Sequence, residues 1–218
     1  MEWSNDFAYA VGLITTDGSL SKDGRHINLT SKDIEQIHNF AKVWNLKNKI
    51  GLKSSTYAKS KTYYNFQFGN VELYRFLLSI GLHPNKTKTL GKLDIPDKYF
   101  ADFLRGHLDG DGCTYSYWDK RWKSSFMLYT VFISASKKHL VWIKQKIDEL
   151  YGIRGTLRYN GKSIYQLKYA KKSSVALMKK LYHGEKVVCL SRKKRKIEQA
   201  LGIISTQAGM LESVDRHG

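Results

Sequence analysis

Apolar residues recur along this chain with two spacings, and the spacings alternate in the same order twice. Apolar positions three or four residues apart, as in WSNDFAYAVGLI, predict amphipathic helices. Strict alternation, as in TYYNFQF, predicts half-buried strands, and the pair Asp23-Gly24 marks a hairpin turn. The first half therefore predicts a helix, a hairpin, a helix, a second hairpin and a helix, at about residues 3–17, 19–31, 32–46, 50–70 and 71–82.

The second half predicts the same order of elements. Its helices, hairpin and final strand pair are expected at about residues 96–111, 113–136, 140–151, 155–170 and 175–182. In TYYNFQF we expect Tyr64, Phe66 and Phe68 to pack inward, because they share one side of a strand. The fold class is therefore α+β, with two pseudo-symmetric αββαββα repeats whose antiparallel sheets lie about a central helix pair.

Two matched helix ends carry the repeat. AVGLITTDG, at Ala10–Gly18, aligns without a gap with LRGHLDGDG, at Leu104–Gly112. The alignment places Gly12 on Gly106, and small residues recur every fourth position on one side of each helix. Such a stripe lets two helix backbones pack closely, so we expect the two helices to lie against each other.

The acids Asp17 and Asp111 end these matched helices. Helix packing would bring the two carboxylates together in the last turn, where the helix dipole disfavours negative charge. Two such charges must take up a proton or bind a cation, and a divalent metal relieves both conflicts. A simple Asp-Gly turn explains one copy but not two copies in register. The pattern therefore predicts a metal site at Asp17 and Asp111.

The charge of the chain indicates a polyanionic partner. There are 37 lysines and arginines against 19 aspartates and glutamates, which gives a formal net charge of +18. The basic residues alternate with aromatic ones inside predicted strands, which favours a nucleic acid bound on a folded surface. A generic basic protein of the ribosomal type is the alternative.

Other features predict the compartment and the domain boundaries. The two cysteines, Cys113 and Cys189, suggest no disulfide framework, so an intracellular location, cytoplasmic or in an organellar matrix, is expected. No apolar run approaches the roughly 20 residues that span a bilayer. Both prolines, Pro84 and Pro96, fall between the repeats. This predicts repeats at 1–97 and 98–204, followed by a flexible tail at 205–218.

Side chains that can form hydrogen bonds lie on the matching strand face of both halves. Such side chains suit the edges of DNA bases. Any solvated strand face is polar, so single residues carry little weight, but a matched set across four strands predicts recognition. The expected contacts are Tyr63, Asn65 and Gln67, matched to Ile164, Gln166 and Lys168, together with Lys53 matched to Arg158 and Ser55 matched to Asn160.

The paired helix ends resemble the signature motifs of the LAGLIDADG homing endonucleases, in the form in which one chain carries both motifs. The third-position glycine, the apolar fourth and fifth positions in part, and the final Asp-Gly pair are present, while Thr15 departs from the pattern at position six. The resemblance covers nearly the whole chain. It implies a saddle whose sheets lie on DNA, with the motif acids beneath the scissile phosphates.

The resemblance further implies an activity and a cofactor. We expect a monomeric, site-specific endodeoxyribonuclease that depends on Mg²⁺, for which Mn²⁺ substitutes, and that cuts both strands of a long pseudo-palindromic target in intron homing. Main-chain carbonyls of Thr16 and Gly110 would add metal ligands to the carboxylates of Asp17 and Asp111, as the matching positions do in the family.

Matched lysines occur at two places near the predicted site. Lys86 in HPNKTKTL pairs with Lys186 in HGEKVVCL, and Lys32 pairs with Lys137 after the second strand of each half. A lysine beside each acid would polarise the phosphate or position a water, and the resemblance implies that role near the end of each repeat. We favour Lys86 and Lys186 as catalytic, although a phosphate clamp explains either pair equally well.

Two further features receive a simpler interpretation. His107 lies inside the second motif but has Leu13 as its counterpart, which favours packing or DNA contact over a catalytic base. The run SRKKRK at 191–196 favours contact with the DNA backbone over a localisation signal.

Two alternative functions use the same fold without cleavage. The chain would then be a splicing cofactor for intron RNA, a maturase, or a DNA-binding protein that does not cut. The intact acids favour the enzyme, because a protein that does not cleave has no use for two unfavourable carboxylates. A ribosomal-type protein would explain the charge but not the duplicated acids.

Overall fold

A computed structural model of the protein describes residues 1–54, 62–161, 163–184 and 186–215. The first half contains α1 (Asn5–Thr16), β1 (Gly18–Leu20), β2 (His26–Ser31), α2 (Ile34–Val43), β3 (Ile50–Ser54), β4 (Thr62–Gly69) and α3 (Val71–Ser79). The second half contains α4 (Phe100–Asp109), β5 (Cys113–Trp118), β6 (Phe126–Ser134), α5 (Lys137–Tyr151), β7 (Thr156–Tyr159), β8 (Tyr165–Tyr169), α6 (Lys171–Leu181) and α7 (Ser191–Asp215). Single 3₁₀ turns at Lys86–Lys88 and Asp97–Tyr99 lie between α3 and α4.

The two halves form two four-stranded sheets of the same topology. The strand orders are β1-β2-β4-β3 and β5-β6-β8-β7, and every neighbouring pair is antiparallel. The α+β class with two αββαββα repeats is therefore confirmed. On β4, Phe66 and Phe68 are buried and Tyr64 is half-buried, as their alternation predicts.

The first two helices of the repeats, α1 and α4, form the centre of the molecule. The local sequence stabilises the start of α1, because Ser4 caps the N-terminus of the helix and its hydroxyl accepts a hydrogen bond from the Phe7 main-chain N–H at 3.1 Å. Both helices are buried along almost their whole length. Tyr9 Oη of α1 donates to Asp109 Oδ2 of α4 at 2.9 Å, which joins the two halves at a buried position.

Helix α7 runs across the expected boundary at residue 205. The sequence predicted no helix there and a flexible tail from 205, but α7 continues through that point to Asp215. Ile204 packs against the apolar cluster of Phe126, Leu128 and Ala200, and Gln207 Nε2 donates to the Ser124 carbonyl at 2.7 Å. Helix α7 thus covers part of the second sheet. None of the described helices is both long and apolar enough to cross a bilayer.

Candidate catalytic centre and DNA interface

Glycines bring the ends of α1 and α4 into contact. A Cβ atom on Gly12 would lie 2.2 Å from the Phe103 carbonyl oxygen, and one on Gly106 would lie 2.0 Å from the Tyr9 carbonyl oxygen. Real Cβ atoms do not approach this closely, so only glycine permits this backbone separation. One turn further on, a Cβ on Gly110 would lie 1.9 Å from Thr16 Oγ1 and 3.3 Å from Asp17 Oδ2. The close packing therefore places both motif ends side by side.

Asp17 lies at this junction and is partly buried. Burial, and after it the negative charge of Asp111, raise the pKa of Asp17 from 3.8 to about 6. Gln36 opposes this effect, because its Nε2 donates to Asp17 Oδ2 at 2.7 Å while its Oε1 accepts from Ser31 Oγ at 3.1 Å. Asp17 and Asp111 line one cleft of about 360 Å³. The predicted meeting of the two acids is thus what the structure shows.

Lys86 lies beside both acids. The side chain is buried, and its Nζ donates to the Gly18 carbonyl at 2.5 Å. Burial lowers the pKa of Lys86 to about 8, while the charges of Asp111 and Asp17 act in the opposite direction. The net effect on Asp111 is a raised pKa, because loss of water around its carboxyl group outweighs the opposing positive charge of Lys86. Asp111 is nevertheless an exposed residue overall. Of the ammonium's three donors, one has an acceptor among the described residues.

Lys186, the predicted partner of Lys86, is exposed and lines neither cavity that contains an acid. Its expected position is occupied by Lys193 of α7, which is buried. Lys193 Nζ donates to the carbonyls of Leu108 at 2.6 Å, Asp109 at 2.8 Å and Gly112 at 2.8 Å, with that of Gly110 at 3.4 Å.

The structural pair is therefore Lys86 and Lys193. Lys86 binds the carbonyl of Gly18, and Lys193 binds that of Gly112, which is the matched glycine of the second motif. Sequence alignment missed this pair because the two lysines approach from different elements, one in the 3₁₀ turn and one in α7. The three N–H groups of Lys193 are all engaged with carbonyls, so it caps α4 and adds positive charge beneath the acids.

The donor set at the junction suits a hard cation. Among the described residues, no cluster of three or more histidine, cysteine, aspartate or glutamate side chains is placed to hold a metal. Two mutually repelling carboxylates remain, with main-chain oxygens nearby, and magnesium is commonly held by one or two carboxylates together with water and substrate phosphates. Thr16 and Gly110, whose carbonyls are the predicted main-chain ligands, lie against each other beside Asp17.

On the first sheet, the predicted DNA contacts share one face. Asn65 Oδ1 accepts from Asn28 Nδ2 at 2.8 Å and from Thr30 Oγ1 at 3.1 Å, which leaves the Asn65 amide group as a donor. Gln67 is exposed on the same face. Lys32 Nζ lies 5.4 Å from the centre of the Tyr63 ring, at the cleft that contains Asp17.

The strand register changes the predicted match of Lys53 with Arg158. Lys53 lies opposite Tyr63, whereas Arg158 lies opposite Gln166, the counterpart of Asn65. The residue opposite Asn65 is Gly51, so Gly51 and not Lys53 corresponds to Arg158. The correction is a slip of two residues, which keeps every side chain on its predicted face. Ser55 lies outside the described residues.

On the second sheet, the predicted contacts also share a face. Gln166 and Lys168 are half-buried, and Arg158 is exposed on the edge strand β7. Asn160 follows β7 and is exposed, and its main-chain N–H donates to the Ile164 carbonyl at 3.0 Å. Lys137, at the start of α5, is exposed as well.

His107 and, of the basic run 191–196, Lys193 are buried. His107 is buried and stacks on His139 with ring centres 5.3 Å apart, so of its two predicted roles the structure shows packing. At the start of α7, Arg192 forms an ion pair with Asp33, and Ser191 Oγ donates to Glu35 of α2. Together with buried Lys193, these contacts tie α7 to both halves. The contact of this run with the DNA backbone stays a prediction.

Neither a sequence-family model nor a curated protein sequence matches this chain. Solved structures do match it. The homing endonuclease I-WcaI bound to its DNA recognition sequence is similar with a TM-score of 0.64 at 13% identity, over 89% of this chain and 88% of that one. I-DmoI in complex with DNA and Mn has a TM-score of 0.54 at 17% identity, over 84% of this chain and 98% of that one.

The full-length DUF199/WhiA protein from Thermatoga maritima has the same fold. Its TM-score is 0.59 at 12% identity, over 100% of this chain and 69% of that one. The N-terminal domain of DUF199/WhiA, a LAGLIDADG domain, matches with a TM-score of 0.55 at 15% identity, over 85% of each chain. The likeness to these structures and the pairing of α1 with α4 identify the fold of this chain as the two-repeat LAGLIDADG fold.

Proposed function

We propose that this chain is a site-specific endonuclease that cuts both strands of double-stranded DNA with a divalent metal. The observation that carries the proposal is the junction of α1 and α4, where Asp17, Asp111 and Lys86 converge. An unfavourable pair of carboxyl groups has no structural use, and burial together with the charge of Asp111 raises the pKa of Asp17 to about 6. Carboxyl groups whose surroundings disfavour their charge and shift their pKa in this way are typical of functional sites.

The residues at the junction would have different roles in hydrolysis of the phosphodiester bond. Asp17 and Asp111 would hold Mg²⁺ or Mn²⁺ together with the carbonyls of Thr16 and Gly110, and the bound ion would supply Lewis acidity and an activated water. Gln36 orients the Asp17 carboxylate through its hydrogen bond. Lys86 has two N–H groups without an acceptor among the described residues, so it can bind a phosphoryl oxygen or position a water.

The neighbours support DNA as the substrate. I-WcaI was solved on its DNA recognition sequence, and I-DmoI was solved with DNA and Mn. The net charge of +18 and the polar sheet faces suit the same partner here. Since both motifs lie in one chain, we propose that a monomer binds a pseudo-palindromic target. Intron homing would be the biological setting.

A binding protein without cleavage is the competing function, because DUF199/WhiA has this fold as well. The test starts by selecting duplexes from a randomised DNA pool with the Asp17→Asn/Asp111→Asn double variant. The selected duplex is then incubated with wild-type protein in Mg²⁺ and, separately, in Ca²⁺. We expect cuts in both strands at one position with Mg²⁺. Tight, specific binding with no cut in Mg²⁺, or in Mn²⁺ tested in the same way, would assign the chain to the non-cleaving class.

A further inference from the structure

Three tyrosines and one lysine form a cluster on the second sheet, which we call the tyrosine face: Tyr115, Tyr117, Tyr129 and Lys168. Tyr115 and Tyr129 lie opposite each other on β5 and β6, with ring centres 5.1 Å apart. The ring centre of Tyr117 is 6.1 Å from that of Tyr129. Lys168 Nζ lies 3.8 Å from the centre of the Tyr129 ring, which fixes the ammonium over an aromatic surface.

The tyrosine face lies on the side of the sheet that faces away from the core. On the opposite side, Leu128, Phe132 and Leu167 are buried. Tyr115 and Tyr117 are 39% and 46% exposed, which is a large aromatic surface for one patch of a sheet. The rings are stacked on each other, so their packing positions them without any ligand.

The matching face of the first sheet has a different chemistry. By strand register, Thr30 pairs with Asn65 and Ile133 pairs with Gln166, so Ile133 occupies the position of Thr30. In the same way Val131, opposite Lys168, occupies the position of Asn28, opposite Gln67. In the second sheet, Val131 and Ile133 therefore replace Asn28 and Thr30 of the hydrogen-bonded network, and of its three positions only that of Asn65 keeps a polar side chain, Gln166.

The tyrosine face is continuous with the proposed catalytic centre. Strand β5 begins at Cys113, directly after the Asp111-Gly112 pair, and Arg158 adds positive charge on the same face. A duplex lying over the acids therefore also covers this face. Paired bases cannot stack on protein rings, and the apolar group that the major groove offers is the 5-methyl of thymine.

Resting on the proposed function, we propose that the two sheets read their half-sites by different chemistry. The second sheet recognises thymine 5-methyl groups with the tyrosine face, and Lys168 supplies a single charged donor to an adjacent base or phosphate. The first sheet reads hydrogen-bond acceptors through amide donors such as Asn65. The two half-sites then differ in kind, with thymines concentrated under the tyrosine face.

Replacing thymine by deoxyuridine tests this proposal, because it removes the methyl group and keeps the base pair. Binding is measured with the Asp17→Asn/Asp111→Asn double variant on the selected duplex, so cleavage does not interfere. Selection with an added Asn65→Ala substitution relaxes base preference in one half-site and thereby identifies it as that of the first sheet. We expect deoxyuridine in the other half-site to weaken binding about fourfold for each recognised methyl group that is removed. Deoxyuridine in the first half-site should change binding less than about twofold.

Protein variants show whether the tyrosines carry the effect. In Tyr117→Ala the preference for thymine over deoxyuridine should shrink, and in Lys168→Gln, which installs the matching residue Gln67 of the first sheet, it should persist. Tyr159→Ala is the control, because Tyr159 is an exposed tyrosine on the other side of the same sheet. It should leave the preference unchanged, and melting curves verify that each variant is folded.

Several results would overturn the inference. Equal losses from deoxyuridine in both half-sites, or a thymine preference that survives Tyr117→Ala, would remove the tyrosine face from recognition while leaving the endonuclease proposal intact. Tighter binding to a single strand than to the duplex would mean that the rings stack on unpaired bases. If no duplex were selected at all, the proposed function and this inference would both fail.

Discussion

At Asp17 the fold holds a carboxyl group where burial and a neighbouring acid both oppose its charge. Its pKa is raised from 3.8 to about 6 in the folded protein. The folded state therefore binds the proton more tightly than the unfolded state, and stability falls as the pH rises through the window between these values. Above about pH 6 the full destabilisation is present.

Asp17→Asn should therefore stabilise the protein at neutral pH without metal. The gain in the free energy of unfolding should be on the order of 2 kcal/mol at about pH 7.5 and should fall towards zero as the pH approaches about 4. Denaturant titrations of both proteins in a chelator measure this difference. A gain of the same size at both pH values would mean that charge on Asp17 is not its cause.

Lys86 and Lys193 differ in how many of their donors are occupied. Lys193 satisfies the carbonyls at the end of α4, whereas Lys86 has one acceptor, the Gly18 carbonyl, among the described residues. We therefore expect Lys86 to act in catalysis and Lys193 to stabilise the fold, and substitutions of the two lysines should have different effects.

Lys86→Met should slow DNA cleavage by roughly 10²-fold or more, while the free energy of unfolding changes by less than about 1 kcal/mol. Lys193→Met should instead lower the free energy of unfolding by about 1–3 kcal/mol, because it leaves buried carbonyls unpaired. Exposed Lys186→Met is the control for both and should alter neither quantity. Normal cleavage by folded Lys86→Met protein would exclude Lys86 from the reaction.

Sequence alone could pair the acids because they lie in a gap-free repeat, and it could single out Lys86. It could not find Lys193 or Gln36. Gln36 reaches Asp17 from α2, and its counterpart by position at the start of α5, His139, is buried and bonded to the Gly91 carbonyl. Roles that do not repeat between the halves leave no signal in an internal alignment.

At the scale of elements, the packing of α1 on α4 is set by Gly12 and Gly106. The nearest atoms to a Cβ at either position belong to the backbone of the other helix, which cannot move aside as a side chain can. Even one methyl group must then push the helices apart.

Gly12→Ala and Gly106→Ala should each lower the free energy of unfolding by about 1–3 kcal/mol or more, despite the higher helix propensity of alanine. The control is Gly202→Ala in α7, where a Cβ would meet no atom within 4 Å. That substitution should stabilise the protein slightly. Equal effects of all three substitutions on thermal melting would show that the central helices do not meet at these glycines.

The helices and strands of both repeats followed from periodicity, because each buries one face or one stripe. Helix α7 did not, since its basic start resembles a charge run that binds phosphates. Its first turn is basic because it faces Asp33 and Glu35 of α2 and the carbonyl end of α4. Only tertiary contacts distinguish that arrangement from a DNA-binding surface.

Across the whole molecule, two similar halves present different surfaces to one partner. The strand register gives the first sheet an amide network and the second a tyrosine face, while the acids of both halves share one junction. A single chain with this construction would suit a pseudo-palindromic target whose half-sites differ, because each sheet would contact its own half-site and the centre is common to both.

A strand-resolved cleavage assay on the selected duplex in Mg²⁺, with wild-type protein and the Asp17→Asn/Asp111→Asn double variant, tests the catalytic centre most directly. We predict that wild-type protein cuts both strands and that the folded double variant cuts neither, while it binds the duplex with little change in affinity. Cleavage of either strand by the double variant at the wild-type rate would contradict the assignment of the centre to Asp17 and Asp111.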